Sequence, residues 1–593
     1  MNRSSRYEVR PLLELRARID IRRSMIMGFL IGLFMGFIDS YGYAVSGYTV
    51  AEIDLVVVPV IARLLLGRGA DPREIFIATV MAFGISLSTV ITSGMLITYY
   101  LTSKIYWLFY REGDFPSWLY PVSSTCFPNI FTCEWPYTYL ALAALSLVGV
   151  GFAYILRHVF LDKLNLPYPL GIASAMIAQV VSLIKTHRSV ILAIIIGILI
   201  QMGLIISPPG SLDFTPIFTG MGYGILASIT FNLPILLIAL LLPPRVSISI
   251  GGGSVITGFI FLPIGASLYL YRVSPGASSD NLTTSASWYL ASIVFGTVFL
   301  LMLMVVRNIG APISHTARTL MESRRAGFLL AMLLLGLLAI LLLSYLRSGT
   351  SGPSFILFGL ILILIIIPIL MIITSWGAGE AGTISQAFYP VSTIYMYLAG
   401  YRGFAPYVYM DHYLGIPMPS SLSASSLHIL RASRILGISP AFILSLFSVS
   451  FLLGSLITIY YGYLLINIYG NNPDRMPLDR WIPYTLWSLS VYRGELDPAS
   501  ILPGALVGVL IMVLLATLDR LTGKSFTPIP FIIGLTLTTD LGILFILGSF
   551  IRWFASRFGG DAEKQLMIIA SSLLAGSGIA IAIYTVFSSL GIV

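Results

Sequence analysis

The sequence predicts an all-α, polytopic integral membrane protein, and three observations carry that prediction. Of the 593 residues, 57% are strongly apolar and only 10% are charged, where water-soluble domains carry ~25% charged residues. The mean hydropathy is +0.92. Apolar runs of about 20 residues, the length that crosses a ~30 Å hydrocarbon core, recur along the whole chain. A surface that faces water needs charge. A soluble globular protein is therefore excluded, and so is a disordered one.

Residues 1–23 hold seven arginines ahead of the first apolar run. That is the pattern of a cytoplasmic start and a retained first span, not of a cleaved signal. Spans are predicted at 24–47, 74–102, 137–158, 189–206, 217–242, 250–271, 286–306, 327–346, 354–375, 441–468, 500–518 and 565–588. The shorter run 50–66 brings the count to about 13. The stretches 165–184, 380–400 and 526–551 are apolar but interrupted by Pro, Gly and polar residues. They read as re-entrant or broken helices, so the total could reach 16 transmembrane or re-entrant helices. A basic loop, 307–326, divides an N-terminal half (24–306) from a C-terminal half (327–593).

With the N-terminus inside, arginine-rich loops fall on the cytoplasmic side, and 103–136, 207–216, 272–285, 347–353 and 469–499 fall outside. The first outside loop contains both cysteines, Cys126 and Cys133. A disulfide there would survive, and two free thiols are the alternative. No polar stretch is long enough for a soluble domain with its own core. Gly251-Gly252-Gly253-Ser254 opens a span and reads as close helix packing, because no Lys follows to make a phosphate loop.

The net charge of +9 follows from the inside loops and does not call for nucleic acid. Two cysteines and five scattered histidines lack metal-ligand spacing, so no metal and no cofactor are expected. No Walker A motif is present; Leu518 stands where the glycine ahead of Gly523-Lys524-Ser525 would be needed. Uphill work would then draw on an ion gradient. An acid in the bilayer core costs ~2.5–3.5 kcal/mol or more, so intramembrane acids are functional candidates. Asp39 lies in the first span and Glu380 follows a long apolar run among glycines. Glu52 and Asp54 read as interfacial, and Asp540 as an N-cap. The Pro/Gly breaks at Leu166–Gly171, Gly379–Pro390 and Phe526–Gly534 point to a polar cavity, because irregular backbone in a membrane persists only where protein buries it or it lines water.

The segment Leu164-Asn165-Leu166-Pro167-Tyr168-Pro169-Leu170-Gly171-Ile172-Ala173-Ser174-Ala175 resembles the LPYPxGxAxA signature of the oligopeptide transporter (OPT) superfamily. Gly379–Gly400 resembles that family's second polar, Gly-rich membrane segment. Tyr401-Arg402-Gly403 through Asp411 to Arg434 resembles the cytoplasmic stretch before its late spans. Pro528, Pro530, Gly534 and Leu547–Trp553 follow its C-terminal order. Leu170 departs from the small or acidic residue that many members carry. The chain looks closest to a divergent prokaryotic or archaeal branch.

The resemblance implies an OPT-like transporter fold and a multi-pass importer in the cell membrane. Its substrates would be oligopeptides, peptide-like compounds or metal chelates, with a proton as coupling ion. It would place Tyr168, Pro169, Gly171, Ser174, Glu380, Thr383, Ser385 and Gln386 along the substrate pathway, with Asp39 or Glu380 as the proton-linked carboxylate. Partners are then the bilayer, the substrate and the coupling ion, with homo-oligomerisation left open. No enzyme activity is expected. The alternatives are a membrane-embedded glycosyl- or acyltransferase and an accessory subunit of a membrane complex.

Overall fold

The computed structural model describes residues 19–46, 51–67, 69–92, 116, 118–119, 129–182, 188–207, 212–321, 324–348, 352–382, 388, 390–411, 419–469, 482–496, 499, 501–522 and 528–589. The protein is all-α and multi-pass. Among the described residues, eleven helices are long and apolar enough to cross a membrane.

In chain order the elements are α1 (Ile21–Ser46), α2 (Ala51–Leu66), α3 (Pro72–Ile91), α4 (Trp135–Lys163), α5 (Pro169–Ser182) and α6 (Arg188–Ile206). A two-stranded antiparallel pair follows, β1 (Leu212–Asp213) and β2 (Ser228–Ile229). Then come α7 (Leu233–Leu241), α8 (Pro244–Ser267), α9 (Ser287–Met321), α10 (Arg324–Ser348), α11 (Pro353–Ala381), α12 (Pro390–Leu398) and α13 (Phe404–Met410). The chain continues with α14 (Pro419–Leu436), α15 (Pro440–Tyr469), α16 (Ile482–Arg493), α17 (Ile501–Thr522), α18 (Pro528–Leu535), α19 (Thr539–Ser556) and α20 (Gly560–Ser589).

Small residues decide the closest packings, as expected where lipid gives helices no hydrophobic reason to associate. Gly28, Gly32 and Gly36 recur every fourth residue on α1. A Cβ on Gly28 would lie 2.5 Å from the Ala78 carbonyl oxygen of α3. The triple glycine of α8 behaves as the sequence suggests: Gly253 meets Phe531 and Gly534 of α18, and Gly251 meets Gly542 and Ile546 of α19. Two long helices loosen into one π-turn just before a proline: Thr257–Phe261 before Pro263, and Leu362–Ile366 before Pro368. Proline lacks an N–H and its ring crowds the preceding turn, and the wider turn accommodates both.

The predicted span 217–242 is not one helix. It starts in a short helix, Thr215–Gly220, passes through β2 and reaches only nine helical residues in α7. Nine residues make ~14 Å of helix. Leu226 N–H donates to the Gly258 carbonyl in α8, 3.1 Å, so the stretch before α7 descends beside α8 as extended chain. Pro216 and Pro234, the turn glycines Gly220 and Gly222, and Thr residues outweigh the apolar total of that window.

The two loops predicted outside, 207–216 and 272–285, are tied together. The Asp213 carboxylate accepts from Thr215 N–H at 2.9 Å and from Ser279 N–H at 2.8 Å. Burial opposes its ionisation, but these donors outweigh that and hold its carboxyl below the usual range. A depressed folded value means the tie stabilises above the ordinary carboxylate range and is lost as pH falls through the folded value. Protection of the Thr215 and Ser279 amides, measured as exchange relative to the intrinsic rate at each pH, should therefore fall on acidification in the wild type. In Asp213→Asn, protection should be low and no longer change with pH across that range.

Candidate functional site

Three polar constellations lie within the helices. The first is built on the turn between α4 and α5. Asn165 and Tyr168 both have left-handed backbones, φ 46° and 48°. For L-residues that conformation costs ~1–2 kcal/mol each. Bulky Tyr168 is held there from several sides. Its N–H donates to the Gly379 carbonyl at 3.0 Å, and its hydroxyl donates to the Ser375 carbonyl at 3.0 Å. Its ring meets the His428 ring edge-on at 5.3 Å between centroids. Strain over-determined in this way is characteristic of functional turns.

Gly171 completes the clamp. Its N–H donates to His428 Nδ1 at 3.3 Å, and its Cα faces the His428 carbonyl so closely that a Cβ would sit 2.2 Å away. Gly382, with φ 74°, ends α11 in a left-handed cap against Pro169 and Leu242. The motif at 164–175 and the segment beginning at Gly379 are thus brought together. Ser174 is fully buried and its hydroxyl has no partner among the described residues. Glu380 lies half-buried in the last turn of α11, where Trp376 Nε1 donates to it at 2.9 Å. It stands at the edge of the break expected at Gly379–Pro390: Gly382 stops α11 just after it, and α12 starts at Pro390. Glu380 and Arg431 both act electrostatically on Tyr168. Thr383, Ser385 and Gln386 lie outside the described residues.

The partner of this clamp was not foreseen. The stretch to Arg434 resembles a cytoplasmic connection, yet α14 is the most enclosed helix of the site, with contacts to α4, α5, α11 and α15. Ser420, Ser423, Ser425, Ser426, His428 and Ser433 are all buried in it. Ser423 and Ser375 share a hydrogen bond of 2.8 Å. Ser425, Ser426 and the Nε2 of His428 are buried without a partner among the described residues. The signal available in the sequence was the density of serines beside a histidine, with no acidic residue and no Gly or Pro inside the helix.

The second constellation surrounds the break in 526–551. That break falls at Thr536–Thr538, between α18 and α19, not at the prolines, which instead start α18. It faces the extended approach to α7. Thr538 accepts from Ser254 at 2.7 Å, Thr539 donates to the Leu226 carbonyl at 2.9 Å, and Thr230 donates to Asp540. Asp540 is in the first turn of α19, while the N-cap is Thr538. The sequence placed Asp540 at the cap, two residues off, because the Thr pair before it also suits that role.

The third constellation holds Asp39, which is fully buried and accepts a hydrogen bond from Ser86 of α3. Asp54, read as interfacial, is instead 1% exposed and lies against the same two groups. The side chain of Glu52 lies outside the described residues. Cys133 is disulfide-bonded, and the chain's one other cysteine, Cys126, lies outside the described residues.

No protein-family model matches the chain, and no curated protein matches it either.

Proposed function

We propose that this multi-pass protein is a secondary active transporter of the OPT type. It would import oligopeptides or peptide-like compounds, metal chelates included, across the cell membrane, with the N-terminus cytoplasmic and a proton as the coupling ion. The observation that carries the reading is the clamped turn at Asn165–Gly171. A strained, non-helical backbone inside a membrane protein is pinned to α11 and α14 at a place where Ser174, Thr374, Ser425 and Ser426 present buried hydroxyls with no protein partner. Buried polar groups find partners in nearly every protein. In a carrier, substrate or water supplies them as the pathway opens. A scaffold or accessory subunit gains nothing from such a costly interior.

Two carboxyls suit coupling or substrate binding: Glu380, beside the clamp, and Asp39, in the first span. Tyr168, Pro169 and Gly171 shape the path, and Ser174 and Glu380 line it.

The test is direct. Purified protein in proteoliposomes is given an inward proton gradient, and charge movement is recorded as pooled di- to hexapeptides and then ferric and nickel chelates are added. A substrate-dependent current that a protonophore abolishes is the expected result. Silence with every pool, from protein shown to be folded, would overturn the proposal and favour the membrane-embedded enzyme or the accessory subunit.

A further inference from the structure

Asp39 and Asp54 belong to different helices and come together only through the packing of α1, α2 and α3. The glycine stripe of α1 lets α3 approach, and this brings Ser86 onto Asp39. α2 then lays Asp54, one turn from its start, against both. Among the described residues, neither carboxyl oxygen of Asp54 has a hydrogen-bond partner within normal geometry, and the residue is 1% exposed. α20 closes over this part of α2 with Gly578, whose Cα faces Val57 and Ile53.

Among the described residues, the groups that act on the Asp54 carboxyl are Asp39 from α1 and the Ser86 hydroxyl from α3. α5, also packed on α2, has no charged residue. The charges of α20 (Asp561, Glu563 and Lys564) lie in its first turns, more than ten residues before Gly578. Arg63, the basic residue of α2, is turned to the far end of that helix, where it donates to the Val181 carbonyl at 3.0 Å.

Two carboxylates side by side in an apolar interior cannot both be ionised, because each raises the cost of charging the other. A proton held between them removes that conflict. A hard metal cation would call for ~6 oxygen ligands. The nearby hydroxyls of Ser40 and Thr89 both donate to the Gly36 carbonyl.

We propose that Asp39 and Asp54, with Ser86 as hydrogen-bond donor, form a carboxyl pair that holds one exchangeable proton and supplies the coupling step. The coupling role rests on the carrier reading above; the proton site itself does not. In this arrangement the pair is separate from the substrate path, and Glu380 belongs to the path.

The first measurement needs no transport. Wild-type protein in lipid nanodiscs is treated with dicyclohexylcarbodiimide, which tags protonated carboxylic acids in apolar surroundings, and the tagged peptides are located by mass spectrometry. The expected result is one tag per molecule on Asp39 or Asp54, never both, declining as pH rises and unaffected by sodium. Absence of a tag at both positions at every pH would overturn the proton site. Protection by sodium at fixed pH would also overturn it, in favour of a metal-cation site.

The second measurement compares Asp54→Asn with wild type in proteoliposomes, using the peptide pools. Proton-driven accumulation should fall to the protonophore control, while gradient-free exchange of the same pool continues. Normal accumulation by this variant would overturn the coupling role. If the wild type transports no pool but carries the tag as expected, the carrier reading fails and the proton site stands.

Discussion

Gly171→Ala should destabilise the protein by at least ~1–3 kcal/mol, the usual cost of overpacking a closed interior. The added methyl would lie 2.2 Å from the His428 carbonyl oxygen, 2.9 Å from its carbon and 3.1 Å from its Cα. All three are backbone atoms of α14, so no side chain can rotate away. The helices must separate, and separation lengthens the bond from Gly171 N–H to His428 Nδ1 and weakens the edge contact of Tyr168 with the same ring. The left-handed backbone of Tyr168 then loses part of what holds it.

Gly252→Ala is the matched control. It is also a helical glycine between packed neighbours, yet nothing lies within 4 Å of its added Cβ. Alanine there should be neutral or stabilising by ~0.5–1 kcal/mol, from the lower backbone entropy of the unfolded chain. Thermal unfolding of both variants in one detergent, followed by loss of monodispersity, checks the pair. A Gly171→Ala melting point equal to that of Gly252→Ala would show that α5 and α14 do not touch as described.

Glu380→Gln should abolish gradient-driven accumulation with expression and folding intact. Glutamine keeps the size of the side chain and still offers an oxygen to Trp376 Nε1, so the last turn of α11 loses little structure. What it removes is the charge, and with it the electrostatic action on Tyr168 and the carboxylate that a substrate amine or a proton would meet. Because Glu380 lies beside the clamp, its replacement should depress gradient-free exchange as well as accumulation. Asp54→Asn is expected to spare exchange, so the two acids separate by which half of the assay they lose. Normal accumulation by Glu380→Gln would remove this residue from the mechanism.

Particular residues show why some of this was legible in the chain and some was not. The break at Leu166–Gly171 could be read directly, because Pro167 disfavours helix in the residue before it and Pro169 opens the next helix. The break between α18 and α19 was displaced from its prolines for a related reason: proline is well accommodated in a first helical turn, where its missing N–H has no partner to lose. The segment 217–242 was misread because an apolar sum does not distinguish extended chain from helix. The extended part is stabilised by bonds to Gly258 and Thr539, which are distant in sequence.

By itself the sequence determined the all-α membrane class, most of the long crossings and the break at Leu166–Gly171. These are properties of local composition, because transfer of a helix into lipid is summed residue by residue. Only the tertiary structure decided that the serine-rich α14 belongs inside. Hydropathy counts a serine hydroxyl as exposed to solvent, whereas in the fold Ser433 bonds the Leu430 carbonyl of its own helix and Ser423 meets Ser375 of α11. Only the tertiary structure, likewise, set Asp54 against Asp39. Neither acid carries any sign of the other in its own surroundings, because their proximity is produced by glycines on α1 that allow α3 to come close and by the packing of α2 against both.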